Sequence, residues 1–257
     1  MDTVAEITFV AQNEEKPCYV IKPHGQPAER RGLFDAQSVR ILDARCQDVL
    51  PQLDANGFQL VASETRLAED IEEADVPSFG YEEVEQAILA TTGAAEVLII
   101  DHTIRSSAPG NSTRGTARHA HVDYTKRSFM EKLKTLGISV GHRRVAQINA
   151  WRPLKEPVRI APLALADCQS VAPNDLVACD LVYPDRRGQI YELRYRPYHR
   201  WYYYPEMTRD ELLLFKSIDL AAPGTSAACP HSAFTHADET ADLPARRSVE
   251  FRTCVLY

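Results

Sequence analysis

The sequence predicts a mainly β protein with flanking helices and a jelly-roll core. From residue 96 onward, short strand-like runs alternate with turn segments of Pro, Gly, Asn and Asp, as in sandwiches and barrels. A chain of 257 residues can bury one sizeable core. The apolar fraction of 44% with 25% charged residues is typical of a globular protein. We expect one domain over 1–257, with N-terminal α/β elements (1–95) packed on a jelly-roll core (96–257).

The individual elements follow from periodicity and from the residues that end them. Apolar residues at helical spacing predict a helix over 81–91, which Gly93 would end. The same spacing predicts a second helix over 128–136, with Gly137 at its C-terminal end. Strands are predicted over 7–11, 18–21, 97–100, 144–151, 163–168, 189–195, 201–204, 211–216 and 248–257.

Charge and cysteine content exclude several classes of function. A net charge of -7 disfavours binding to a phosphate backbone, so we expect no nucleic-acid partner. The first residues, 1–10, lack the basic start and apolar run of a secretory signal, and no apolar stretch is long enough to cross a bilayer. The six cysteines include no C-x-x-C pair and are expected to be free thiols. These observations predict a cytoplasmic enzyme with a small-molecule substrate and no membrane partner; a homodimer is compatible with them.

The segment His119-Ala120-His121-Val122-Asp123 carries the strongest chemical signal. In an extended segment, residues 119, 121 and 123 share one face, so two of these side chains can chelate a single ion. Fe(II) accepts imidazole and carboxylate ligands together, and two histidines with one carboxylate leave three coordination positions open. An exposed His-Asp pair is often only part of a polar surface, so the motif needs a third ligand.

The third ligand is expected to be a histidine on a later strand. His231 is the best candidate because it lies far along the chain, just before the last strands, as closure of a barrel requires. His236, His199 and His142 are lesser candidates. A hydrogen-bonded or surface role is the alternative for each, and it is preferred for His199.

The last predicted strand offers a site for a carboxylate. Alternation places Arg246, Ser248, Glu250 and Arg252 on one face of this strand. A guanidinium beside a hydroxyl can donate several charge-assisted hydrogen bonds to a planar carboxylate, as a dicarboxylate co-substrate would require. The alternative is that the arginines are charges that protect an edge strand from aggregation.

The order H-x-D, distal His and R-x-S resembles that of the iron(II)/2-oxoglutarate-dependent dioxygenases. More narrowly, the chain resembles the family that includes the cephalosporin 7α-hydroxylating component, the fumigatonoid endoperoxidase and gibberellin-desaturase-like proteins. The resemblance runs from about residue 97 to the C-terminus. The stretches that carry it are 101–105, 120–125, 147–153, 180–183, 200–203, 211–216 and 230–234.

This resemblance implies a double-stranded β-helix core that uses Fe(II), 2-oxoglutarate and dioxygen on small specialised metabolites. Hydroxylation, desaturation, cyclisation and peroxidation are all compatible with it. It implies His121, Asp123 and His231 as metal ligands, and Arg246 with Ser248 as the residues that hold 2-oxoglutarate. Further candidates for 2-oxoglutarate are Arg252, Arg152 and Arg247, and candidates for the substrate pocket are Asn149, Trp151, Lys216 and Tyr202.

Two other hypotheses remain open on the sequence alone. One is a cupin-type dioxygenase that binds its metal through His119, His121 and His231 and needs no 2-oxoglutarate. The other is a catalytically silent barrel that binds a small molecule. A cysteine hydrolase is disfavoured because no cysteine lies in a nucleophile motif.

Overall fold

The computed structural model describes residues 1–12, 15–22, 28–108, 114–221 and 228–257. The α-helices are α1 (Leu53–Asn56), α2 (Val76–Thr92) and α3 (Lys126–Thr135). The strands are β1 (Thr3–Val10), β2 (Cys18–Val20), β3 (Glu29–Arg31), β4 (Phe34–Asp43), β5 (Phe58–Ala62), β6 (Glu96–Ser106), β7 (His121–Val122), β8 (Val145–Pro153), β9 (Leu163–Ala166), β10 (Leu176–Val182), β11 (Arg187–Leu193), β12 (Trp201–Tyr203), β13 (Glu211–Asp219), β14 (His231–Ala233) and β15 (Arg247–Leu256).

These strands form two sheets. The larger sheet has the order β1-β4-β12-β9-β14-β7-β11-β10-β2-β3, and the smaller has the order β5-β13-β8-β15-β6. Most neighbours are antiparallel, with parallel pairs at β4/β12 and β2/β10. The larger sheet curls so that β1 reaches the segment before β7, where the Ala120 amide donates to the Thr8 carbonyl over 2.8 Å. The mainly β, jelly-roll prediction is therefore confirmed.

Residues 1–95 contribute strands to both sheets in addition to α2. In the larger sheet, β1 pairs with β4, and β4 pairs in parallel with β12 from the later part of the chain. In the smaller sheet, β5 pairs with β13. The early residues thus extend both sheets by backbone hydrogen bonding.

The two predicted helices are confirmed, and both begin earlier than predicted. Helix α2 begins at Val76, has a proline in its first turn, and ends at Gly93 with φ +64°. Helix α3 begins after Thr125, whose hydroxyl accepts from the Ser128 amide over 3.1 Å while the Ser128 hydroxyl accepts from the Thr125 amide over 3.0 Å. This reciprocal cap fixes the chain two residues after Asp123.

The apolar cores lie on both faces of the smaller sheet. Its outer face packs against α2, and this core includes Val84, Ile88, Val249 and Phe251. Its inner face turns toward the larger sheet, where Trp151 and Phe215 join a second apolar cluster. The space between the sheets is therefore walled by side chains from both. No helix in the described ranges has the length and apolar character needed to span a bilayer.

Candidate metal centre and co-substrate cleft

His121, Asp123 and His231 come together between the two sheets. Strands β7 and β14 are neighbours, and His231 pairs directly with His121 across them. One ligand atom from each of the three side chains lies within 4.8 Å of the others. Asp123 lies in the bend after β7 rather than on the strand, yet its Oδ1 is 3.6 Å from His121 Nε2. The 110-residue separation of the two histidines in sequence is thus closed by a single strand pairing.

Both imidazoles are oriented by backbone carbonyls. The Nδ1 atom of His121 lies 2.8 Å from the carbonyl oxygen of His119, and Nδ1 of His231 lies 3.3 Å from that of Cys229. An Nδ1–H that donates to a carbonyl leaves Nε2 as the free lone pair that a metal requires. Burial lowers the pKa of both histidines, which favours the neutral, metal-binding form.

The carboxylate of Asp123 is held by the smaller sheet. Its Oδ2 accepts from Asn149 Nδ2 on β8 over 2.6 Å and from Arg252 Nε on β15 over 3.3 Å. Burial alone would raise the pKa of Asp123, but Arg252, the two histidines and the Asn149 hydrogen bond outweigh it and lower the pKa. The carboxylate is therefore ionised, with Oδ1 left toward the histidines.

This donor set fits a divalent iron ion. Two neutral imidazoles and one ionised carboxylate are the ligands of the facial arrangement that non-haem Fe(II) oxygenases use. All three side chains are supported by a second contact, which is the usual condition of a built metal site. The sequence-derived candidates are therefore the side chains that the structure places together.

The other histidines that were considered as ligands, His119, His142, His199 and His236, lie outside this cluster. The His119 ring stacks on His121 with centroids 4.5 Å apart, but its Nδ1 lies 3.0 Å from the buried Glu192 carboxylate. His199 pairs with Asp175, as its preferred structural role predicts. His236 contacts the Tyr203 hydroxyl, and His142 is exposed. The described geometry therefore gives no support to a cupin-type set that includes His119.

Arg246 lines the same cleft as His121 and His231, and Ser248 pairs across the sheet with Arg105, another residue of that lining. The cleft is lined by His121, His231, Trp151, Arg246 and Glu250, among others. Arg246 is 3% exposed and Ser248 is 1% exposed. Among the described residues, Arg246 Nε and the Ser248 hydroxyl have no hydrogen-bond partner. Burial and two neighbouring arginines lower the pKa of Arg246 to about 9. These unmet donors are what a bound carboxylate would satisfy.

The competing arginines have other partners. Arg247 lies on the opposite face of β15 and donates to the carbonyls of Glu69 and Ile71. Arg152 also points away from the cleft and donates to the Ser63 carbonyl over 2.8 Å and to the Arg209 carbonyl over 3.0 Å. Arg252 does lie between the sheets, but it binds Asp123 instead of facing an open space. Neither Arg152 nor Arg252 is placed to hold 2-oxoglutarate.

Of the four predicted pocket residues, one lines the cleft, one contacts a metal candidate, and two have contacts elsewhere. Trp151 lines the cleft, and Asn149 reaches the site through Asp123. Lys216 does not line it, because its amine is within 2.5 Å of Asp54 and 3.4 Å of Asp219. Tyr202 packs in the apolar cluster beside the cleft, with its ring 5.7 Å from Phe58. Lys216 and Tyr202 are not among the residues that line this cleft, and their assignment to the substrate pocket stays a prediction.

Sequence reasoning assigned no role to Arg105 and Glu250, which also line the cleft. Arg105 pairs with Ser248 across β6 and β15, so the two share a face. Alternation along β15 already placed Glu250 with Arg246, and the pairing of β6 with β15 would have brought Arg105 to the same face. Burial, followed by the nearby Asp123, raises the pKa of Glu250 to about 7.

Comparison with known proteins agrees with this geometry. Residues 7–256 match the family model described as "Oxidoreductase/YMDC permease-like domain". The hydroxylase/desaturase efuI of Hormonema carpetanum is 33% identical over 91% of this chain and 88% of its own length. The alpha-ketoglutarate-dependent dioxygenase phiK of a Fungal sp. is 32% identical over 87% of this chain and 85% of its own.

A solved structure extends the similarity to the whole fold. The iron and alpha-ketoglutarate-dependent endoperoxidase NvfI superposes with a TM-score of 0.87 at 26% identity, covering 99% of this chain and 98% of that chain. NvfI comes from Aspergillus novofumigatus. With this fold, the His-Asp-His cluster and these relatives, the chain belongs to the iron(II)/2-oxoglutarate-dependent dioxygenases.

Proposed function

We propose that His121, Asp123 and His231 hold the catalytic Fe(II), and that Arg246 with Ser248 holds the distal carboxylate of 2-oxoglutarate. One observation carries this proposal: three ligand atoms lie within 4.8 Å of one another, and two of these residues, His121 and His231, line one cleft with Arg246, whose buried Nε lacks a hydrogen-bond partner among the described residues. Bound iron, with 2-oxoglutarate and dioxygen, supplies the chemistry that oxidises a small specialised metabolite. The outcomes open to it are hydroxylation, desaturation, cyclisation and peroxidation.

The protein side chains would orient the ligands and exclude water. Asn149 and Arg252 hold the Asp123 carboxylate in one orientation, and the carbonyls of His119 and Cys229 hold the two imidazoles. Trp151, which is 1% exposed, forms a wall beside Arg246, whose guanidinium carbon lies 5.5 Å from the ring centroid. A rigid aromatic wall beside the guanidinium restricts water at the carboxylate site, which strengthens its hydrogen bonds.

The experiment that tests the reaction class measures oxygen uptake and succinate together. The iron-loaded enzyme should consume dioxygen only when 2-oxoglutarate is present, with one succinate released per dioxygen for hydroxylation, desaturation or cyclisation and one per two dioxygen molecules for peroxidation. Oxygen uptake without succinate would favour a cupin-type dioxygenase, and a protein that binds no Fe(II) would favour a silent barrel. Either result contradicts the proposal.

The carboxylate clamp is tested by two adjacent arginines. Arg246→Met should weaken 2-oxoglutarate binding by about 10- to 100-fold, because charge-assisted hydrogen bonds of about 1.5–3 kcal/mol are lost. Arg247→Met is the matched control, since that side chain contacts carbonyls on the opposite face. It should leave 2-oxoglutarate affinity within about twofold of the wild type, by the same scale. Equal losses in both variants would reject the assignment.

We also propose that the enzyme works in the cytoplasm and can form a homodimer. All six cysteines are free thiols, which suits a reducing compartment. Fluorescent tagging in cells and light scattering of the purified protein test these two points. Secretion of the tagged protein would contradict the first, and a monomer at all concentrations would contradict the second.

A further inference from the structure

A second arginine reaches the cleft beside the proposed 2-oxoglutarate clamp. Arg105 lies on β6 directly opposite Ser248 on β15, so its side chain shares the face that carries the clamp. Its Nη1 donates to the Gly115 carbonyl over 3.0 Å, the one acceptor recorded for it in the described ranges. Arg105 is half-buried, whereas Arg246 is 3% exposed. The two guanidinium groups therefore lie at different depths in one cleft.

The carboxylates near the cleft form ion pairs with a different arginine. Arg252 pairs with Asp101, with Asp123 at 3.3 Å and with Glu250 at 3.5 Å. Within the part of the chain that the structure describes, neither Arg105 nor Arg246 forms an ion pair. Two cationic groups in a partly dry cleft, without carboxylate partners, call for two anionic groups from bound molecules.

The co-substrate can satisfy only one of these two cations. Of the two carboxylates of 2-oxoglutarate, one belongs to the keto-acid end that the family directs to the metal, and the other is assigned to Arg246. Apart from Glu250, which pairs with Arg252, the remaining cleft wall is apolar, with Trp151, Leu163 and Ala233 beside the metal candidates. A molecule that occupies this space next to Arg105 therefore meets one guanidinium group without an ion pair in the described residues and a mostly apolar surface.

We propose that Arg105 binds a carboxylate of the substrate, so that the enzyme acts on apolar small molecules that carry a carboxylic acid. This inference rests on the proposed function, because it takes Arg246 as the residue that holds 2-oxoglutarate. Arg105 then determines specificity. Its guanidinium group binds the carboxylate near the opening of the cleft, while the apolar part of the substrate lies toward the metal. Its removal should reduce discrimination between an acid and a neutral analogue without weakening 2-oxoglutarate binding.

The test uses two small fluorinated probes of equal shape, 4-(trifluoromethyl)benzoate and 4-(trifluoromethyl)benzamide. Each is added to anaerobic enzyme loaded with Fe(II) and saturating 2-oxoglutarate, with a Zn(II)-loaded sample as the diamagnetic control. The relaxation of the fluorine signal by the iron measures binding close to the metal. The benzoate should show an enhancement about tenfold larger than the benzamide, as one charge-assisted contact predicts.

Three variants separate Arg105 from general effects. Arg105→Met should reduce the benzoate enhancement to the benzamide level, and Arg105→Lys should retain part of the difference. Arg40→Met removes an exposed arginine that pairs with Asp2 and should change nothing. Circular dichroism and Fe(II) affinity identify the variants that are correctly folded, and the affinity for 2-oxoglutarate is then measured separately in each.

Several outcomes would overturn the inference. Equal relaxation of the two probes in the wild type, including no enhancement of either, would show that no acid-selective site exists near the metal. Survival of the difference in Arg105→Met would place the acid elsewhere. A loss of 2-oxoglutarate affinity in Arg105→Met as large as that in Arg246→Met would assign Arg105 to the co-substrate. Failure of the wild type to bind 2-oxoglutarate at all would contradict the proposed function, and this inference with it.

Discussion

At the scale of single residues, the Asp123 carboxylate depends on side chains that do not touch the metal. Asn149 and Arg252 come from two strands of the opposite sheet and fix its Oδ2. Asn149 is itself held by Gln147, whose amide lies 2.5 Å from the Asn149 carbonyl oxygen. Supporting contacts of this kind orient a ligand and tune its charge, and their loss commonly weakens metal affinity.

Asn149→Ala should therefore lower Fe(II) affinity by about 10- to 100-fold while leaving the fold intact. In this variant Asp123 Oδ2 no longer accepts the hydrogen bond from the Asn149 amide, so the carboxylate can rotate away from the two histidines. Anaerobic Fe(II) titration measures the effect. Asn174→Ala, at an exposed asparagine, is the control and should bind iron as the wild type does. An unchanged affinity in Asn149→Ala would show that Arg252 alone positions the carboxylate.

For single residues, the sequence indicated which side chains share a strand face but not which distant side chains they contact. His121, Asp123, Arg246 and Ser248 could be selected because their chemistry shows in short spacings. The ion pairs of Lys216 could not be predicted, because its partners Asp54 and Asp219 are brought to it by folding. Local spacing reveals which groups share a strand face, but it does not reveal which distant charge will neutralise them.

At the scale of secondary structure, the long buried strands were predicted, and several short or half-exposed strands were missed. Strand β15 follows the predicted run closely because nearly every residue in it is buried. Strand β4 is exposed along much of its first half, so its sequence lacks the apolar alternation that marks a strand. Strand β14 has three residues and is defined by its neighbours β7 and β9. Short or half-exposed strands are specified by pairing, which a single sequence does not display.

Helix α2 illustrates the same limit at Gly80. A glycine inside a helix usually indicates weak helical preference, and its replacement by alanine usually stabilises. Here a Cβ on Gly80 would lie 2.8 Å from the Phe251 ring of β15. The glycine therefore allows α2 to approach the sheet that carries Arg246, Ser248 and Arg252.

Gly80→Ala should destabilise the protein by about 1–3 kcal/mol, because the added methyl group overpacks the contact with Phe251. Urea denaturation measures the free energy of unfolding. Ser78→Ala, at an exposed position of the same helix, controls for helix preference and should be neutral or slightly stabilising. Adding Phe251→Leu to Gly80→Ala should recover part of the loss. A stabilised Gly80→Ala protein would contradict the close packing of α2 on β15.

At the scale of the whole molecule, early and late parts of the chain share both sheets. Strand β4 pairs with β12, and β5 pairs with β13. Neither residues 1–95 nor residues 96–257 therefore complete these sheets alone. The metal candidates also come from distant parts of the chain, and His121 and His231 meet only when β7 and β14 pair. We propose on this basis that residues 1–257 form one cooperative domain.

Calorimetry of the full chain should then show one unfolding transition, with equal calorimetric and van't Hoff enthalpies. Fe(II) with 2-oxoglutarate should raise the midpoint, because ligands that bind only the folded state stabilise it. Two resolved transitions, one of them insensitive to the ligands, would show that the N-terminal residues fold separately.

The central claim is the assignment of the metal and co-substrate residues, and one spectrum tests it most directly. Anaerobic enzyme loaded with one Fe(II) per chain and titrated with 2-oxoglutarate should develop the visible charge-transfer band of the iron chelate, saturating at one 2-oxoglutarate per iron. The band should be lost in His121→Ala, Asp123→Ala and His231→Ala, and it should persist in His142→Ala, which changes an exposed histidine. A wild type without the band, or a His231→Ala protein that retains it at full intensity, would contradict the account.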